Sequence, residues 1–306
     1  MKKYLYNLLF KNYQYRKLYM IGLSHVLKIR ENYFNVKKLS DVDYKIFSQN
    51  GEDGILDYLI HQLNLEKPKF IEIGVGDYTE ANTRFIFERC SPKGTIVDCI
   101  ENLEDKVKKN LKLWKGELKI INKIVNSKNI IEIMQESNCS SDLDIFSLDI
   151  DGIDYWIIDK LPKNFSKIVV LEYNSTFGNE IEVTIPNIEN FDRTKYHYSN
   201  LCFGMSFQAA IKLMEKKNFY YIGTNLFNNN IFFISKKFSK EKYFKNLVIG
   251  KSEYNGDAFF RESRDKDGNL NYLSGKKKLR EISECKVVDL GNNNEIKKIS
   301  EVYNLD

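Results

Sequence analysis

The sequence lacks most of the features that assign a function at a glance. Five cysteines occur, at Cys90, Cys99, Cys139, Cys202 and Cys285, and no two form a C-x-x-C pair. An odd count without paired spacing argues against a disulfide frame and for free thiols in a reducing compartment. The three histidines, His25, His61 and His197, show no ligand spacing, and there are 4 prolines. No stretch reaches the roughly 20 apolar residues of a membrane span. The opening segment Met1–Phe10 is broken by Asn7, meets Lys11 at once and has no small-residue cleavage site, so it does not read as a signal peptide. The expectation is a soluble, cytoplasmic protein. The net charge of +5 is mild for 306 residues. It suits an anionic small substrate without requiring one. Lysine runs such as Lys276-Lys277-Lys278 stand beside no nucleic-acid motif and read as solvated surface. Two phosphate-binding signatures also fail. Position 79 is Thr where G-x-G-x-x-G needs its third glycine after Gly74 and Gly76, and no G-x-x-x-x-G-K-[ST] is present.

What is present is a core. Hydrophobic residues make up 42% of the chain, with 19 Tyr and 20 Phe, values of a globular protein. From about residue 44 strand-like and helix-like stretches alternate. Strands are expected at 69–73, 94–98, 118–122, 143–149 and 167–172. Helices are expected at 55–65, 82–89, 104–114, 130–135, 155–161 and 207–217, the last from the spacing of Ala210, Leu213 and Met214. Such alternation predicts a parallel sheet with helices on both faces. The last two strands, 219–223 and 230–235, are separated by only Thr224 to Asn229. That is too short for a crossover helix, so they pair as an antiparallel hairpin. The expected fold is therefore α/β, with a seven-stranded, mostly parallel sheet and an antiparallel last strand, the arrangement of Rossmann-like class I methyltransferases. Residues 1–43 read as a helical N-terminal extension, which caps the main domain or supports a homodimer. Residues 44–236 form the main domain. The lysine-rich residues 237–306 form a C-terminal extension, either a cover over substrate or a surface appendage.

Three features carry chemistry. Glu72-Ile-Gly-Val-Gly76 ends the first strand, and ligands of open α/β sheets sit beyond the carboxyl ends of the strands. Glu72 favours a cationic ligand over a pyrophosphate. Asp98 ends the second strand, 22 positions after Gly76, close to the spacing at which a carboxylate takes ribose hydroxyls. Together they favour an adenosyl ligand. Asp149 and Asp151 follow the fourth strand and Glu172-Tyr-Asn174 ends the fifth. Neighbouring carboxylates repel unless a cation or a proton lies between them. They suit a hard divalent ion such as Mg²⁺, or supply a general base. The bland alternative is that one of Asp149 and Asp151 caps the following helix. His197 lies in a polar loop, 187–200, placed to cover a substrate.

Five segments together resemble FkbM-type and macrocin-O-methyltransferase-like enzymes of surface-polysaccharide clusters: Phe47-Ser-Gln-Asn-Gly-Glu-Asp-Gly-Ile55, Phe70-Ile-Glu-Ile-Gly-Val-Gly-Asp-Tyr78, Asn82-Thr-Arg84, Ser147-Leu-Asp-Ile-Asp-Gly-Ile-Asp-Tyr-Trp156 and Val170-Leu-Glu-Tyr-Asn-Ser175. The resemblance implies methyl transfer from S-adenosylmethionine to a sugar hydroxyl, on a nucleotide-linked sugar or a glycan precursor. It implies a donor site of Glu72, Gly74, Gly76 and Asp98 with Gln49, Asn82 and Arg84. It further implies Asp149 as a metal ligand, Asp151 as the base, Glu172 and Asn174 as further ligands, and Tyr173 and His197 at the substrate. The relatives carry paired acids after strand five where this chain has Glu172-Tyr-Asn174, and often a third glycine where it has Tyr78. Two other readings stay open: a small non-sugar acceptor such as a phosphoramidate, and a module that binds without chemistry.

Overall fold

A computed structural model describes residues 21–22, 28–111, 113–137, 142–238, 240–248 and 263–305. Most of the expected N-terminal helical extension, with His25 and Cys139, lies outside the described residues. Five parallel strands, β1 (Lys69–Ile73), β2 (Lys93–Asp98), β3 (Glu117–Asn122), β4 (Ile145–Leu148) and β5 (Ile168–Glu172), are joined by helices α1 (Glu52–Gln62, before β1), α2 (Arg84–Cys90), α3 (Leu103–Asn110), α4 (Ile130–Glu136) and α5 (Asp154–Lys160). A two-residue strand β6 (Val183–Thr184) and a short helix α6 (Arg193–Tyr196) follow. Then come α7 (Phe207–Lys216), β7 (Phe219–Thr224) and β8 (Asn230–Ser235). The main sheet has the order β3-β2-β1-β4-β5-β8-β7, with β8 antiparallel to both neighbours. This is the Rossmann-like class I methyltransferase fold expected from the sequence.

Successive residues of a strand face opposite sides. Phe70, Ile145, Ile168 and Val170 therefore pack with the apolar side chains of α1, α2 and α3, while Ile71, Phe146, Val169 and Leu171 pack with those of α4, α5 and α7. Both faces being covered explains why β5 is buried at every position and reads as an unbroken apolar run. In α3 the Leu103–Val107 stripe is buried, with Glu104 and Asp105 in the first turn and Lys108 and Lys109 in the last, charges that suit the helix dipole. Ser206 caps α7 by accepting the Ala209 N–H.

The structure differs from the periodicity reading at two places. Helix α1 begins at Glu52, inside the Gly51-Glu-Asp-Gly54 turn, because Asp53 accepts the backbone N–H groups of Ile46, Phe47 and Ser48 and folds the preceding loop onto the first turn. The described residues 263–305 of the weakly patterned C-terminal stretch also form regular elements. Helix α8 (Lys276–Glu281) leads to β9 (Lys286–Asp289), β10 (Glu295–Lys298) and α9 (Ile299–Tyr303). Strands β9 and β10 pair with β6 as a second, three-stranded sheet. Ile282, Val287 and Ile299 complete the core on the α7 side. These strands of four residues or fewer, turned through the left-handed Asn293 and Asn294, are too short to leave a period. No described helix is long and apolar enough to cross a membrane.

Besides the core packing of Tyr33, Val36, Leu39 and Val42, a buried acid ties the described part of the N-terminal extension to the core. Arg30 donates Nε and Nη2 to Asp57 at 2.9 and 2.7 Å, Tyr33 donates its hydroxyl at 2.8 Å, and Arg89 of α2 pairs with the same carboxylate. Asp57 is fully buried, so its loss leaves two guanidinium groups without their counter-charge. Asp57→Ala is expected to lower stability by about 3–5 kcal/mol, read as a lower urea midpoint at unchanged slope. A loss within the error of the wild type would show that the cluster is not a structural tie.

Candidate active site

The strand order reverses between β1 and β4, so the loops leaving these two strands diverge beyond their carboxyl ends and open a crevice. A cavity of about 850 Å³ occupies it, the size of a small-molecule site. Its floor is the turn after β1. Gly74 has φ +86°, and a Cβ there would lie 1.6 Å from the Asp149 carbonyl oxygen. No side chain fits between the two loops. Gly76 has φ +55° and nothing within 4 Å of where a Cβ would stand, so it presents bare backbone to the cavity. Tyr78, also at positive φ, is fully buried, and its hydroxyl meets Thr83 Oγ1 at 2.9 Å. Burial and this bond hold the tyrosine at its left-handed position.

Carboxylates set the loops around this floor. Glu72 accepts the Asn82 and Thr83 N–H groups at 2.7 and 2.9 Å, together with the Thr83 hydroxyl. Asp98 accepts Gly76 N–H on Oδ2 at 2.7 Å and Ile100 N–H on Oδ1 at 3.0 Å. A carboxylate oxygen accepts two hydrogen bonds, so each oxygen of Asp98 keeps capacity toward a ligand. Asp154 accepts Ile150 and Gly152 N–H at 3.2 and 3.0 Å. It is Asp154, and neither Asp149 nor Asp151, that ties down the loop entering α5. Burial pushes Glu72 and Asp53 up to about 7, against several backbone donors that pull the other way.

Asp149, Asp151 and Glu172 each bring an oxygen to within 4.8 Å of the others. Burial, then the charges of Glu172 and Asp151, push the Asp149 carboxyl well above the usual range. Asp151 sits at φ +52° and pairs with Arg193. The oxygen set and its mutual repulsion fit a hard divalent cation, which Asp149 and Glu172 would hold beside Asp151.

Of the residues expected from the sequence, Gln49, Glu72, Gly74, Gly76, Asn82, Asp98, Asp149, Asp151 and Glu172 all line the cavity. Four do not. Arg84 is buried behind the floor, donating to the Tyr78 and Asn110 carbonyls and to Glu88. Asn174 turns away from Glu172 because its amide donates to the Leu201 and Phe203 carbonyls and its oxygen accepts Thr176 N–H. It is thereby committed to the loop and not to a metal. Tyr173, the strand neighbour of Glu172, points to the opposite face against Phe207. His197 bonds Ser199 Oγ at 2.7 Å, outside the cavity lining.

The sequence reading missed Glu52, Asn230, Arg193 and Arg264. Glu52 is fully buried at the cavity wall and accepts the Asn225 and Asn230 amides, both at 2.7 Å. That bond fixes the Asn230 amide with its oxygen away from Glu52, and this buried oxygen has no protein partner. Asn230 lies opposite Glu172 in the β5–β8 register. The signal in the sequence is the run Asn228-Asn-Asn230 at a hairpin end, which reads there as turn chemistry alone.

No protein-family model matches the sequence, and no curated protein matches it. Among solved structures the chain is similar to the pyocyanin biosynthetic protein PhzM, at 15% identity and a TM-score of 0.35, over 58% of this chain and 53% of that one. It thus spans about half the length of PhzM. It is also similar to an S-adenosylmethionine-dependent methyltransferase from Clostridium acetobutylicum ATCC 824, at 10% identity and a TM-score of 0.38, over 60% of this chain and 88% of that one. A third similarity is to OxaC in complex with sinefungin and meleagrin, at 9% identity and a TM-score of 0.31, over 55% of this chain and 42% of that one.

Two stability tests follow from this geometry. Gly74→Ala, driven against the Asp149 carbonyl, is expected to melt well below the wild type, whereas Gly76→Ala is expected to lose only about 1 kcal/mol for its left-handed backbone. Equal losses would show that the Gly74 contact is not the constraint. The second concerns pH. The fold raises Glu72 from 4.5 to about 7. The folded state thus favours its protonated form, and the stability it contributes is full below the unfolded value and lost as pH rises through about 7. Glu72→Gln removes this share. Its melting temperature should fall less than that of the wild type between about pH 4.5 and 7.5, and parallel curves would refute the assignment.

Proposed function

We propose that the chain is an S-adenosylmethionine-dependent O-methyltransferase that methylates a sugar hydroxyl, on an activated sugar or a glycan precursor. The observation that carries this reading is the placement of a three-carboxylate cluster beside a glycine floor with an open face, in one cavity at the reversal of the sheet. At one end, Asp98 would take ribose hydroxyls, and Ile124 and Val125, which line the same cavity, would flank a flat base. The acidic lining suits a sulfonium. At the other end, Asp149, Asp151 and Glu172 mark the acceptor. The motifs resembling FkbM-type enzymes support the sugar acceptor, and residues 44–236 would be the catalytic domain between two extensions.

The reaction is an in-line displacement. The acceptor oxygen forms a bond to the methyl carbon, the carbon–sulfur pair returns to sulfur to leave a thioether, and the hydroxyl proton passes to Asp151. The floor and the acid cluster contribute chiefly by positioning. A divalent cation held by Asp149 and Glu172, beside Asp151, would lower the pKa of the bound hydroxyl.

Incubation with S-adenosylmethionine and a panel of nucleotide sugars, read by mass, should show gain of one methyl group. No gain on any sugar would sink the sugar assignment. Asp98→Asn should weaken donor binding about tenfold and, by losing one of its two backbone N–H bonds, lower stability by about 1 kcal/mol. Asp151→Asn should lower turnover about 10²–10⁴-fold, and an unchanged rate would remove it as the base. EDTA should abolish turnover and Mg²⁺ restore it, whereas EDTA-resistant turnover would exclude the metal.

A further inference from the structure

The cavity is lined by acids with a few basic side chains among them. Its lining includes eight acids, Glu52, Glu72, Asp77, Glu80, Asp98, Asp149, Asp151 and Glu172, against three basic side chains, Lys123, Arg193 and Arg264. Lys123 stands at the sheet edge and pairs with Glu132 and Glu136 of α4. The two arginines come from elsewhere. Arg193 opens α6, in the loop after β6, and Arg264 lies in the C-terminal segment. The two segments are joined, for Arg264 N–H donates to the Ser199 carbonyl at 3.3 Å. Both guanidinium groups are positioned by neighbours: Arg193 stacks over the Phe203 ring, 5.6 Å from its centroid, and Arg264 donates Nη1 to the Gly268 carbonyl at 3.0 Å.

We propose that Arg193 and Arg264 form an anion subsite that takes a phosphoryl group of the acceptor. This rests on the methyltransferase reading for what the acceptor does, but not for the existence of the site. A planar guanidinium matches phosphate oxygens two at a time, and two of them lining one cavity on linked segments suit a phosphate ester or a diphosphate better than a neutral glycan. Arg193 is already paired with Asp151. A phosphoryl group arriving at Arg193 is therefore anchored directly beside the acid cluster, with its attached sugar over the carboxylates. Asn190 and Asn200 line the same cavity and add neutral polar groups.

The test is calorimetric titration of the full chain with pyrophosphate and with inorganic phosphate in EDTA-containing buffer, each with and without saturating S-adenosylhomocysteine. Wild-type protein should bind pyrophosphate. Arg193→Gln and Arg264→Gln should each weaken that binding about tenfold or more. Arg193→Lys, which keeps the charge without the fork, should lose less. S-adenosylhomocysteine affinity should stay within about twofold in all three, which also reports that they fold. Pyrophosphate binding tighter than phosphate points to a nucleoside-diphosphate-linked acceptor, and equal binding to a phosphate monoester; both support the subsite. No binding of either anion by the wild type overturns it, as does binding that both Gln variants retain in full. Arginine-sensitive anion binding without S-adenosylhomocysteine binding would sink the methyltransferase reading and leave the subsite standing.

Discussion

A backbone N–H that leaves a sheet and enters a buried loop has to find an acceptor, since water does not reach it. At this rim the acceptor is repeatedly a carboxylate. Asp53 takes the N–H groups of residues 46–48, Glu72 those of Asn82 and Thr83, Asp98 those of Gly76 and Ile100, and Asp154 those of Ile150 and Gly152. Each bond is charge-assisted and stronger than a neutral one. At Asp53, Glu72 and Asp154 the carboxylate is also drawn out of water, and burial pushes Asp53 and Glu72 up to about 7 and Asp154 up to about 6. The shape of the cavity rests on these anchors, and the remaining loops are placed relative to them.

One consequence is electrostatic. Anchoring loops with acids leaves a cavity wall of acids, and the same wall carries Asp149, Asp151 and Glu172. Such a wall repels an anion and attracts a cation, in keeping with a sulfonium donor and a divalent ion. Two arginines join this lining, Arg193 from the loop after β6, where it pairs with Asp151, and Arg264 from the C-terminal segment. That segment is held in place by the β6–β9 pairing and by the core contacts of Ile282, Val287 and Ile299. The C-terminal stretch thus contributes to the site through packing far from it.

Much of the sheet was legible because buried parallel strands leave runs such as Ile168 to Leu171, and because the short link from Thr224 to Asn229 forces a hairpin. The glycine floor and Asp98 were legible for a related reason: Gly74, Gly76 and Asp98 stand at strand ends, and strand ends of such a sheet share one rim, where all three line the cavity. The partners of individual polar groups were not legible. Asn174 looks like a ligand beside Glu172 until Leu201 and Phe203 supply the carbonyls it binds. Arg84 looks like a donor-site cation until the Asn110 carbonyl and Glu88 claim it.

The sequence by itself determined the succession of strands and helices of the main sheet, the glycine turn and the acids at the strand ends, because these depend on local periodicity and backbone sterics. The tertiary structure alone decided which carboxylates serve as loop anchors and which gather as a cluster, since that depends on N–H groups as far as 22 residues away. It alone brought Glu52 to Asn230 across 178 residues, and Arg264 to the cavity that Arg193 lines. A buried polar side chain is defined by what lies opposite it, and only folding brings that neighbour.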